Sequence, residues 1–185
     1  SSHFAIRPAK LFDGVEQRLT ILIGCHGSSD GGWHTSKYHQ WFSDERPDLF
    51  SRLMLASMPQ RRSKQSPWPK IGSPTEARIL EKLRRFEDSP AHLLLTDSSK
   101  WIMYFHRTPG YWIRMLDFLP FFESPAGDRS VHHIRELYAT SEAARAEVAG
   151  LGSSSLYFCW FFAIGNCRNL TKGDLLGFPA PHLDA

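Results

Sequence analysis

The residues best suited to chemistry in this chain are cations and aromatic rings. Between Arg61 and Arg85 lie Arg61, Arg62, Lys64, Lys70, Arg78, Lys82, Arg84 and Arg85, against only Glu76 and Glu81. A basic stretch of this kind is the electrostatic footprint of a phosphate binder, and it is equally what a solvated helix face beside a polar loop looks like. Aromatic residues make up 13% of the chain, with 6 Trp and 13 Phe, which suits base stacking, a large apolar core, or both. His132-His133 invites a metal reading. Adjacent strand residues point to opposite sides, however, and no Cys or carboxylate stands at ligand spacing, so no metal site is expected. No nucleophile elbow, hydrolase triad or Gly-rich phosphate loop occurs.

Composition narrows the class. The 185 residues suffice for one generous domain or two small ones, and 42% hydrophobic with 22% charged residues is a globular balance. Net charge is +3, so only the distribution of charge points toward nucleic acid. Cys25, Cys159 and Cys167 are odd in number and lack CxxC spacing, which suits a reducing cytoplasm and no disulfide framework. No apolar run is long enough to cross a bilayer, so no membrane partner is expected. The opening on Ser1-Ser2 without Met fits a segment of a longer protein.

The elements that must position these groups are mixed. Phe4–Ile6 and the nearly all-apolar Leu19–Ile23 read as two strands joined by a loop, the second buried on both faces as in an α/β sheet. Two strands are not a domain, so they read as the rim of a larger sheet. Residues 27–32 are a Gly/Ser connector, and a short helix is expected from Asp44 to Leu55, followed by a Pro- and Lys/Arg-rich loop from Pro59 to Gly72. Ser73-Pro74-Thr75-Glu76 starts an amphipathic helix, with Ile79, Leu80, Leu83 and Phe86 on one face and Arg78, Lys82 and Arg85 on the other. Strands are expected at His92–Thr96 and Lys100–Arg107 around the turn Asp97-Ser98-Ser99, and again at Ile134–Ala139. Ser141–Val148 reads as a polar helix. Leu156–Ile164, capped by Ser153 and stopped by Gly165-Asn166, reads as a core helix apolar all round.

The segment Ile6-Arg7-Pro8-Ala9-Lys10-Leu11-Phe12-Asp13-Gly14-Val15-Glu16-Gln17-Arg18-Leu19-Thr20-Ile21 resembles the stretch just downstream of the Asn-Pro-Pro-Tyr motif in adenine-N6 DNA methyltransferases of restriction–modification and phage-defence type. Thr35–Trp41, Ser154–Phe162 with Cys167–Leu170, and Phe178-Pro179 are similar, in that order, to the specificity region of the same family. The resemblance implies a mixed α/β chain. Residues 1–32 would be the C-terminal strand pair of a class I methyltransferase-like catalytic sheet, and 33–185 an α+β DNA target-recognition region. It implies that Phe12 stacks on a flipped adenine, since a base drawn from the duplex needs an apolar face to replace its lost neighbours; the alternative is that Phe12 is a core residue anchoring a tight turn. Candidate DNA contacts are Lys37, Tyr38, Arg61, Arg62, Lys64 and Lys70, with Arg107, Tyr111, Trp112 and Arg114 as groove-facing or strand-separating residues; Trp112 reads equally as core.

The family's cofactor loop and its Asn-Pro-Pro-Tyr motif are absent from these residues. S-adenosylmethionine would therefore belong to the complete enzyme, and this chain alone is expected to bind no cofactor. Its partners would be double-stranded DNA and a missing N-terminal catalytic part or partner chain. A non-catalytic nucleic-acid-binding or interaction module is the alternative reading, and a metal-dependent nuclease, lacking an acidic cluster, ranks below both.

The basic stretch predicts duplex binding that weakens steeply with salt. With roughly four phosphates neutralised, the log–log slope is expected near −3.6. Reversing Arg61, Arg62 and Lys64 to Glu should weaken binding to all sequences alike, because phosphate contacts carry no base information. Titrations of several duplexes across salt concentrations check both statements.

Overall fold

The computed structural model describes residues 1–24, 32–58, 67–121, 123–125, 127 and 133–180. The chain is mixed α/β and divides into two compact units: residues 1–82 with 162–164, and residues 83–161 with 165–185. Residues 33–82 thus join residues 1–32 in the first unit. Among the described residues, no single helix is long and apolar enough to cross a membrane.

The first unit is organised around a strand three residues long. β1 (Ser2–Phe4) lies between β2 (Leu19–Ile21), antiparallel, and β4 (Tyr38–His39), parallel. A second small sheet pairs β3 (His34–Ser36) with β5 (Leu55–Ser57). The first strand lies earlier than expected, at Ser2–Phe4 instead of Phe4–Ile6, and the second stops at Ile21; the two pair, but β2 is not buried on both faces. It is an edge strand, and beyond its end Leu22 and Ile23 are 61% and 85% exposed. The expected helix over 44–55 is shorter: a 3-10 helix spans Ser43–Asp48 with Pro47 inside it, and Leu55 already belongs to β5. Proline supplies no N–H, so the turn does not continue as an α-helix. α1 (Pro74–Leu83) begins where the Ser-Pro-Thr-Glu pattern places it: Ser73 Oγ accepts from Glu76 N at 3.2 Å, and the Glu76 carboxylate accepts from Gly72 N at 2.6 Å. Leu80 and Leu83 are buried on it, whereas Phe86 lies past its end and is exposed.

The second unit is a four-stranded antiparallel sheet in the order β6 (Leu94–Leu95), β9 (Ile134–Ala139), β7 (Ile102–His106), β8 (Met115–Leu116). β6 and β7 are therefore not a hairpin about residues 97–99, because β9 lies between them. Of the expected His92–Thr96 strand only Leu94 and Leu95 are strand; its start belongs to a 3-10 helix, Pro90–Leu93. α2 (Glu142–Gly152), capped by Ser141, packs on β7, β8 and β9. α3 (Ser155–Ile164) is capped by Ser154, one residue later than Ser153, and its Tyr157 and Phe161 are fully buried. Tyr157, Trp160 and Phe178 form an aromatic cluster with centroids 5.1–6.0 Å apart, and α4 (Lys172–Leu176) follows a Thr171–Asp174 capping box. Thus the apolar helix is core, as its composition implies.

His3, on β1, is the most consequential buried polar group. Its Nδ1 lies 2.9 Å from Thr20 Oγ1 and its Nε2 3.1 Å from Thr35 Oγ1, joining β2, β1 and β3. Burial, helped by the positive charge of Lys70, lowers its pKa to about 4. The unfolded chain takes up this proton near the ordinary 6.5, the folded chain only near 4, so acid favours unfolding. This contribution to stability is complete above about pH 6.5 and disappears as pH falls toward 4. Melting temperatures measured between pH 7 and 4 should fall, and His3→Gln should flatten that part of the profile; an unchanged slope in the variant would contradict the assignment.

Candidate functional site

Phe12 projects from the loop between β1 and β2. Leu11, its neighbour, is 6% exposed and packs with Phe4, Ala9, Trp41 and Leu49, so the core anchor of the loop is Leu11. Phe12 itself is 56% exposed. Arg46, on the Ser43–Asp48 turn, donates from one guanidinium nitrogen to two successive carbonyls of this loop, Lys10 O at 3.1 Å and Leu11 O at 2.9 Å. The same guanidinium lies 5.5 Å from the centroid of the buried Trp41 ring. Glu45 steadies the turn that carries Arg46, accepting from Phe42 N at 2.8 Å and from Arg52 at 3.0 Å.

Further bonds close the loop. Ala9 N donates to Trp41 O at 3.0 Å, Val15 N to Phe12 O at 3.3 Å, and Lys10 pairs with Glu16. Gly14 has φ +76°, a conformation in which a side chain is strained, so Asp13-Gly14 turns as its composition suggests. The loop is thus held by main-chain bonds and one arginine, while its single large exposed ring stays outside.

In the same unit Lys37 is exposed at the junction of β3 and β4, and Tyr38 lies 6.3 Å, ring to ring, from Phe162. Lys70 is half-buried, its N–H donating to Ala163 O at 2.8 Å. Arg61, Arg62 and Lys64 lie outside the described residues, as do Cys25, His132 and most of the 27–32 connector. Among the described residues no group of three or more His, Cys, Asp or Glu side chains is arranged to hold a metal ion.

The second unit brings three of its four predicted contact residues together. Burial along β7 alternates: Met103 and Phe105 are buried, while Tyr104 and His106 stand on the opposite face. The extended segment leading into β8 alternates likewise, with Ile113 and Met115 buried and Trp112, Arg114 and Leu116 facing away. These outward residues, with Tyr111, Pro109, Pro120 and Ile134, line a cleft of about 380 Å3 on the outer sheet face. Trp112 stacks on Phe158 of α3 at 4.9 Å and 20°, and remains 44% exposed. Tyr111 is 94% exposed. Ser153 Oγ accepts from Met115 N at 3.0 Å and pins the end of the segment.

Arg107 is exposed just beyond β7 but is absent from the cleft wall; its N–H donates to His133 O and its carbonyl accepts from Leu170 N. Sequence reasoning missed Tyr104, His106 and above all Arg46. The alternation within β7 was a signal for the first two. Nothing in the sequence marked Arg46, whose partners are main-chain carbonyls 35 and 36 residues away.

No family model matches the chain, and no curated protein or solved structure is significantly similar to it.

Removing the arginine should loosen the loop without emptying the core. Arg46→Ala is expected to cost roughly 1–2 kcal/mol, the net worth of two hydrogen bonds, and to make residues 7–18 cleave faster under limited proteolysis. Arg46→Lys, with one compact ammonium in place of the planar group, should restore only part of this.

Proposed function

We propose that this chain is the C-terminal part of a site-specific DNA adenine-N6 methyltransferase of restriction–modification or phage-defence type. In this reading it binds duplex DNA and presents a flipped adenine to an active site completed by residues outside it. The observation that carries the reading is Phe12: an aromatic ring kept out of the core, on a loop immobilised by Arg46 and Leu11, within the segment that resembles the family most specifically. A ring so held supplies a stacking face with little freedom left to lose on binding.

Residues 1–32 would then be the rim of a class I methyltransferase sheet, and 33–185 the target-recognition region. The edge position of β2 supports this, since a sheet continued by further strands would cover Leu22 and Ile23. Lys37, Tyr38 and Lys70, with Arg61, Arg62 and Lys64, would hold phosphates and set the register of the duplex. The family's cofactor loop and Asn-Pro-Pro-Tyr motif are absent from the sequence, so S-adenosylmethionine would be held by residues outside this chain. No step is assigned to this chain through that cofactor. The alternative, a non-catalytic nucleic-acid-binding module, draws its support from the aromatic cleft of the second unit, which owes nothing to a catalytic partner.

Phe12 decides between these readings. In the enzyme completed by its catalytic part, Phe12→Ala should lower methylation efficiency about tenfold to a hundredfold, because stacking one base is worth roughly 1–3 kcal/mol. Phe12→Trp should retain most activity. Since the ring is exposed, the melting temperature of Phe12→Ala should stay close to wild type. Wild-type methylation by Phe12→Ala would remove the basis of the methyltransferase reading.

A further inference from the structure

We propose that the cleft on the outer face of the second unit takes one unstacked nucleotide, its base against Tyr111 and Trp112 and its phosphate at Arg114. The inference does not depend on Phe12, which carries the methyltransferase reading; it gives one ligand to Tyr111, Trp112 and Arg114, which that reading treats only as general DNA contacts. Three observations support it.

The first is the kind of surface. Tyr104, Tyr111 and Trp112 converge on one cavity of about 380 Å3, within the range of small-ligand sites. Tyr111 is 94% exposed, so its ring face is open to a second flat ring. Trp112 cannot swing away, being stacked on Phe158 and followed by the buried Ile113. His106 is also oriented, with Nδ1 2.8 Å from Thr108 O.

The second is charge. Arg114 lines the cleft, and among the described residues it enters no ion pair. Among the described residues no carboxylate lines the cavity. Glu136, opposite Tyr104 across the sheet, accepts from the Tyr138 hydroxyl at 2.6 Å. Aromatic cages of this kind also hold quaternary ammonium groups, but a cation beside Arg114 would be repelled. An aromatic ligand bearing a negative charge suits both halves of the wall.

The third is access to the base. A paired base in a duplex has both faces covered by its neighbours, so the rings of this cleft reach only a nucleotide outside a stack. That nucleotide has two sources, a single strand or a free mononucleotide.

Fluorescence anisotropy of the 185-residue chain with a labelled short thymidine oligonucleotide, in competition with thymidine monophosphate and with a duplex of equal length, tests the assignment. Wild type should bind the oligonucleotide, and Tyr111→Ala should weaken it about fivefold to a hundredfold while Tyr111→Phe does not. Arg114→Gln should weaken it too and reduce the log–log salt slope by about 0.7, the share of one phosphate on a single strand. Both side chains are exposed, so unchanged melting curves certify the fold. A mononucleotide that competes as well as the oligonucleotide, and is itself lost in Tyr111→Ala, supports the site with a free nucleotide as its occupant. Absence of binding by either probe overturns the proposal. So does binding that survives Tyr111→Ala, or whose salt slope survives Arg114→Gln. Equal damage to duplex binding would overturn the restriction to unstacked nucleotides. The methyltransferase reading is tested by methylation in Phe12→Ala and this one by binding in Tyr111→Ala and Arg114→Gln, so either can fail while the other stands.

Discussion

Arg46 bridges two consecutive carbonyls of a loop that contains no regular structure of its own, and the geometry of that loop depends on it. Carbonyls of an irregular segment have no ladder to satisfy them, and each one partly withdrawn from water needs a donor. Supplying two with one planar group is something arginine does and lysine does poorly. Beneath the clamp, Leu11 and Ala9 sink into a small core with Phe4, Trp41 and Leu49. Above it, the next residue has nowhere to go but outward. Phe12 is thus exposed because its neighbour is buried, and it stays where it is because the backbone under it is tied.

In the second unit a single periodicity makes both core and cleft. With a repeat of two, every inward Met103 or Phe105 obliges an outward Tyr104 or His106, and every inward Ile113 or Met115 an outward Trp112 or Arg114. α2 covers the inward set. The outward set, drawn from strands that meet side by side, collects on the other face and is walled by Pro109 and Pro120. Core packing therefore positions the aromatic rings without any contact dedicated to that purpose.

What the sequence made legible was local. Ile134–Ala139, the starts of α1 and α2, the apolar α3 and the turn at Asp13-Gly14 all rest on caps, turn residues and runs of side chains a few positions apart. What escaped was non-local. β9 inserts between β6 and β7 from some forty residues downstream, and no pattern near Asp97 records it. Leu19–Ile23 carries the composition of a buried strand, yet burial depends on which neighbours a sheet has, and here one side has none among the described residues. Of the site, ring and charge types were readable at Phe12, Tyr111, Trp112 and Arg114. Arg46 was not, since a bond to a carbonyl leaves no trace in the identity of the residue that owns it.

The open side of β2 has a practical side as well. Among the described residues β2 has no neighbour on its outer side, and Leu22 and Ile23 after it are exposed; an edge of that kind is a template onto which a second copy can hydrogen-bond, and most native sheets guard it with charge, proline or a bulge. Thr20 is the sole polar residue along Leu19–Ile23, and its hydroxyl is occupied with His3. Leu19–Ile23 is thus an adhesive margin at one rim of the first unit, and a lysine set into that stretch is the natural gatekeeper.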